Sequence, residues 1–161
     1  MKNLRLSGMW GKLGQPDSVF YDITWTGVVG APTDRQVEIF NIVTGARDAG
    51  VKKVQEAYSG KRRIAGWEVD QATREFISSA GYGEFFVHRT GHSIGEHVHG
   101  NGANMDNLET KDEREIIPNT CFSIEPGIYL PEFGVRSEVN VLTRNAGAEV
   151  TGKIQRELVL I

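Results

Sequence analysis

At 161 residues the chain has the length of one ordinary domain, and its 39% hydrophobic content is enough to bury a core without disulfides or structural metals. Eighteen basic against 21 acidic side chains give a formal charge of −3, which lacks the clustered basic excess that nucleic-acid binding requires. Residues 1–10 lack the apolar run of a signal peptide, no segment approaches a membrane span, and Cys121 is the single cysteine, so a cytoplasmic protein with a structural thiol is expected.

In chain order, residues 1–16 contain no Asp, Glu or His. Residues 18–29 (SVFYDITWTGVV) are rich in β-branched and aromatic types and predict a strand. Alternation along it places Phe20, Asp22 and Thr24 on one face, with Val19, Tyr21, Ile23 and Trp25 on the other. Pro32, Thr33 and Gln36 mark a helix start with a capping box, and the helix runs to about Tyr58 with Gly60 as its stop. Val37, Phe40, Val43, Val51, Val54 and Tyr58 recur at near-helical spacing as its buried stripe. The basic run 61–63 follows as a solvated loop. A second helix is expected over 68–80, with Val69, Ala72, Phe76 and Ala80 on one face and Gly81 as its stop.

From Phe85 onward the pattern changes to short extended runs at 85–87, 120–130, 135–142 and 156–161, most simply read as antiparallel strands. Within them Cys121, Ser123 and Glu125 share a face, as do Arg136, Glu138 and Asn140. A turn at 131–134 brings Glu125 and Glu138 to the same polar face. There is no internal repeat, low-complexity tract or long linker.

Asp22, His92, Glu125 and Glu138 form a mixed oxygen and nitrogen set suited to Mn, Fe, Co or Zn. Carboxylates that bridge two ions at about 3.5–4 Å activate a shared water for attack on an amide carbonyl. Each residue also has a plainer reading: Asp22 as an edge-strand solubility device, Glu138 as the partner of Arg136, His92 as a loop histidine bonded to backbone. Gly91 to Gly95 (GHSIG) also fits the G-x-S-x-G nucleophile elbow around Ser93, but glycines follow where a helix is needed and no histidine lies beyond His99. His88 and His92 are four apart as in a zincin, and with His97 and His99 suggest a zinc cluster. Gly91 and Gly95 disfavour the helix that motif requires.

At HRTGHSIG, FSIEPGIYL and GVRSEVNV the chain closely resembles the pita-bread metallopeptidases, and YDITWTG around Asp22 leans toward their Xaa-Pro aminopeptidase and dipeptidase branch. The resemblance implies an α+β fold, a curved antiparallel sheet covered by helices, with 1–161 as one partial catalytic domain lacking the amino-terminal part of the usual one. It implies hydrolysis of an amino-terminal Xaa-Pro bond. Asp22, His92, Glu125 and Glu138 are then the metal ligands, with Glu125 also handling the proton of the attacking water. His99 is catalytic and contacts substrate, His88 lines the substrate pocket, Arg136 braces Glu138, and His97 is surface. The family's first aspartate, in a D-x-G pattern, falls on Met9, Trp10 and Gly11, so Met9 stands where the acid is expected and one ion at most is implied. Gly100 stands where the commoner pattern has a Glu after the histidine. Weak or absent activity follows as the expectation, with a peptide substrate or ligand, and a homodimer or complementary chain as the partner. A catalytically dead peptide- or protein-binding module, or one part of a split enzyme, is the alternative.

Overall fold

The computed structural model describes residues 4–161; residues 1–3, the start of the expected 1–161 domain, lie outside them. Its elements are β1 (Leu4–Gly11), β2 (Tyr21–Val28), α1 (Asp34–Ser59), α2 (Gly66–Ser79), β3 (Ser93–Ile94), β4 (Cys121–Ile124), β5 (Gly127–Tyr129), β6 (Gly134–Arg136), β7 (Val139–Arg144), β8 (Gly147–Thr151) and β9 (Val159–Leu160). The mixed α+β expectation holds. Three sheets form, in the orders β1-β2-β9, β3-β4-β7-β8 and β5-β6.

The capping box at Thr33 and Gln36 is present, and α1 ends where Gly60 was expected to stop it. Phe40, Val43, Val51 and Val54 are buried, but Val37 is exposed and belongs to the outer face. Helix α2 starts two residues before the expected 68. Its buried positions are Val69, Asp70, Thr73 and Ile77, while Phe76 is exposed. The apolar stripe misread this helix because half of its inner face is polar: Thr73 Oγ1 donates to the Val69 carbonyl and Asp70 is held by four donors. The two helices approach closely at Gly45, where an added Cβ would lie 2.6 Å from the Phe76 ring.

Two apolar clusters fill the interior. One joins Val51, Val54, Val69, Phe122, Ile124 and Val141; the other joins Ile39, Phe40, Val43, Ile77, Ile128 and Val135. Strand β1, over a stretch the sequence reading left unassigned, pairs antiparallel with β2 along its whole length. Two other expectations are corrected. Residues 85–87 are no strand, because the Phe86 and His88 carbonyls accept from Arg74 instead of from a neighbouring ladder. Strand β9 runs parallel to β2, a departure from the all-antiparallel reading. Among the described residues no helix is long and apolar enough to cross a membrane.

Candidate metal centre

The runs expected at 120–130 and 135–142 each break in two, and the breaks carry the acids. Ile124 pairs with Val139 and Gly127 with Arg136, one continuous register in which Glu125 stands opposite Glu138 and Pro126 opposite Ser137. Pro126 has no N–H to give the ladder. The Glu125 N–H turns to the Thr90 carbonyl (2.7 Å), and the Glu138 N–H to that of Thr24 (3.1 Å) on β2. Two carboxylates directly opposite repel one another, so this pairing needs a reason outside the ladder. Arg47, 1% exposed, fixes the adjoining Ser137 Oγ at 2.6 Å.

Strand β2 contributes Asp22 and Thr24 to the same cleft. Asn140 clamps the Asp22 backbone, accepting from its N–H (2.9 Å) and donating to its carbonyl. His92 arrives on a loop that lies against β4, which Gly91 permits: a Cβ there would sit 2.0 Å from the Ser123 carbonyl. The His92 N–H donates to Ser123 Oγ (3.0 Å), and Ser123 Oγ donates to Glu125 Oε1 (3.0 Å).

Asp22, His92 and Glu138 offer ligand atoms within 4.8 Å of one another. His92 Nε2 lies 3.5 Å from Asp22 Oδ2 and 3.4 Å from Glu125 Oε1, while its Nδ1 faces the Ser93 carbonyl at 3.1 Å. That carbonyl favours the proton on Nδ1 and leaves the Nε2 lone pair on the side of the acids as the atom that can ligate a metal, the arrangement that orients histidine ligands. Glu138 is 1% exposed; Thr24 Oγ1 donates to its Oε2 at 2.7 Å, and its Oε1 has no hydrogen-bond partner among the described residues. A buried carboxylate oxygen without a donor is costly, and a cation offsets that cost. The set therefore fits a divalent ion.

Electrostatics agree. Burial, followed by the charges of Glu125 and Asp22, pushes Glu138 up to about 8. Burial also raises Glu125, against the opposing pull of Arg136 and His92. Burial lowers His92, but its contact with Asp22, the Ser93 carbonyl and the charges of Glu125 and Asp22 outweigh that, leaving it raised. All three groups hold protons more tightly folded than unfolded, so their contribution to stability is present at low pH and lost as pH rises. For the metal-stripped protein, the Glu138 part of that loss falls between pH 4.5 and about 8. Urea midpoints of metal-stripped protein are expected to fall across this window, and Glu138→Gln to flatten the fall. A midpoint that rises from pH 5 to 8 would contradict the assignment.

His88 and His99 also line the cleft. His88 Nε2 meets the Tyr129 hydroxyl at 2.8 Å, and burial lowers its pKa. The His99 ring stands edge-on to His92 with centroids 4.4 Å apart, and desolvation, His92 and Arg89 lower it. Arg136 lies 3.4 Å from Glu125 Oε2 and donates to the Tyr129 hydroxyl (2.8 Å), so its ion pair is with Glu125, whereas the expected brace was to Glu138. His97 is exposed, as expected. Ser93 lies on a short strand and accepts from the Gly102 N–H, which ends the nucleophile-elbow alternative. No helix forms around His88 and His92, so the zincin alternative ends too.

The expectation about Met9 shifts by one residue. Trp10 is the partner of Asp22 in the β1-β2 ladder and lines the cleft, while Met9 is opposite Ile23 and faces away with it. The sequence reading passed over Thr24, Ser123, Tyr129 and Asn140 as site residues. Thr24 and Asn140 share strand faces with Asp22 and Glu138, a signal that period-2 spacing carries; Tyr129 acts across a hairpin and gives no such signal.

A family profile, Metallopeptidase family M24, matches residues 14–145. The Xaa-Pro dipeptidase of Pyrococcus furiosus is 37% identical over 138 residues, 85% of this chain and 37% of that protein. Among solved structures, the dipeptidase PepE from Mycobacterium ulcerans superposes with a TM-score of 0.84 at 30% identity, covering 98% of this chain and 39% of its own. The X-Pro aminopeptidase from Thermotoga maritima gives 0.77 at 32%, over 89% and 38%. The chain thus spans well under half the length of the relatives it matches, and its fold is the α+β pita-bread architecture.

Proposed function

The chain belongs to Metallopeptidase family M24, and from that premise we propose that its cleft is a single-ion centre of the Xaa-Pro peptidase type, with low activity in this chain alone. The observation that carries the proposal is the convergence of ligand atoms from Asp22, His92 and Glu138, joined to a buried Glu138 Oε1 that has no hydrogen-bond partner among the described residues. Glu125 completes the ligand set from the opposite position of the ribbon. Mn, Fe, Co and Zn all suit these donors, and Mn is the first choice for a carboxylate-rich set with one imidazole. A divalent ion bound there polarises a peptide carbonyl and makes water a nucleophile near neutral pH.

Within that chemistry the chain's own groups have separate tasks. Glu125, raised by burial and tethered to Ser123, takes and returns a proton at Oε1. His99, at the rim beside His92, steadies the oxyanion, and His88 with Tyr129 bounds the peptide. Trp10 places an indole, which cannot ligate a hard cation, at the register position facing Asp22. A second ion there would find no ligand from β1 and would have to share the acids of the first, which is the basis for one ion and for weak turnover.

Purified chain loaded with Mn²⁺ is expected to hydrolyse Xaa-Pro dipeptides below roughly 1 s⁻¹, the low end of ordinary enzyme rates. Glu125→Gln should lower any residual metal-dependent rate by about 10²-fold. Ordinary rates that fall on Glu125→Gln would show the low-activity reading to be wrong.

The same indole favours one other reading, a peptide- or protein-binding module that has kept the cleft but lost turnover. A second copy or a complementary chain that completes the site would restore activity on mixing. Its proposed setting is the cytoplasm, consistent with a single cysteine whose half-buried thiol burial pushes up.

A further inference from the structure

Trp10 is 62% exposed although it faces the cleft from β1. Its only ring partner among the described residues is Phe20, edge-on with centroids 5.8 Å apart, so much of the indole surface is open. In the ladder it stands directly opposite Asp22, which puts the two Cβ atoms about 5 Å apart on one face. The acids of the cleft are Asp22, Glu109, Glu125 and Glu138; its fixed cations, Arg89 and Arg136, enter from the His88–His92 loop and from β6. Arg136 is already engaged by Glu125 and Tyr129. The wall made by β1 and β2 therefore combines a carboxylate with an aromatic face and carries no cation among its cleft-lining residues Gly8, Trp10, Asp22 and Thr24.

Phe20, the other member of the aromatic pair, already holds an ammonium. Lys12 Nζ sits 5.1 Å from the Phe20 ring centroid while donating to the Glu96 carbonyl (3.0 Å). Phe20 is thereby occupied and Trp10, the stronger cation–π acceptor of the two, is not.

We propose that Trp10 is a substrate-binding residue whose indole face receives the amino-terminal ammonium of a peptide seated in the cleft. The inference rests on the peptide-site reading above. It gives Trp10 a positive task where that reading gives it only the exclusion of an ion, and it makes a free amino terminus the recognised feature of the ligand. An exposed hairpin side chain of this kind also tolerates replacement, which makes the test clean.

The test is calorimetric titration of the Mn²⁺-loaded chain with alanyl-proline and with its N-acetyl counterpart, in wild type, Trp10→Leu and Trp10→Phe. Trp10→Leu is expected to weaken alanyl-proline about 5-fold while leaving the acetylated ligand unchanged, and Trp10→Phe to stay within about 2-fold of wild type. Equal weakening of both ligands in both variants, which a structural role predicts, overturns the proposal, as does an unchanged affinity for alanyl-proline in Trp10→Leu. If wild type binds neither ligand, the peptide-site reading itself fails and this inference falls with it.

Discussion

Asp70→Ala is expected to destabilise the chain by about 3–5 kcal/mol, the range for removing one partner of a buried ion pair. Asp70 is fully buried and accepts from Arg74 Nε (3.0 Å) and Nη2 (3.1 Å), from the Thr90 N–H (2.8 Å) and from the Asn107 N–H (3.1 Å). Arg74 in turn donates to the Phe86 and His88 carbonyls and lies 4.3 Å from the Phe86 ring centroid. Removing the carboxylate leaves a largely buried guanidinium without its counter-charge, held only by the two carbonyls, and two backbone donors unpaired. The damage also reaches the centre, because Thr90 and His88 begin the loop that carries His92. Urea unfolding measures the loss. Asp70→Asn, which keeps one acceptor and loses the charge, should fall between wild type and Asp70→Ala, and a loss below about 1 kcal/mol in Asp70→Ala would mean that the network holds nothing in place.

His92→Ala is expected to lower Mn²⁺ affinity by more than about 10²-fold, since even groups that merely orient ligands cost 10–100-fold when removed. His92 supplies the nitrogen of the set, and its Nε2 lies between Asp22 Oδ2 and Glu125 Oε1. Without it only the three carboxylates of the ligand set, Asp22, Glu125 and Glu138, remain, and their mutual repulsion favours protonation over metal binding. Ser123→Ala, which keeps every ligand but releases the His92 N–H and Glu125 Oε1, should cost about 10-fold. Competition with a fluorescent chelator reads both values. Equal, small losses in the two variants would remove His92 from the ligand set.

The helices and the strand of Asp22 were legible because local signals decide them. Thr33 and Gln36 cap α1 through contacts three residues apart, and alternation along β2 places Asp22 and Thr24 on one face. What the sequence concealed depends on partners far along the chain. The acids Glu125 and Glu138 share a face as expected, but no local pattern reveals that each sits in a break of its strand, its N–H taken by Thr90 or Thr24. The inner face of α2 reads as apolar only if Asp70 is assumed to be outside; its partners at Thr90 and Asn107 are 20 and 37 residues away. Residues 4–11 read as unassigned because β1 is an exposed strand with no buried face, and its register, set by pairing with β2, decides that Trp10 and not Met9 faces the centre. A one-residue shift along a strand exchanges its two faces, so a motif laid on the sequence without that register names the wrong side chain.

Asp22, His92, Glu125 and Glu138 are proposed to hold one divalent ion, with Trp10 in the way of a second. Calorimetric titration of the metal-stripped chain with Mn²⁺ tests it directly. A stoichiometry of one ion per chain, lost in His92→Ala, is the predicted result; two ions per chain, or none, would contradict it.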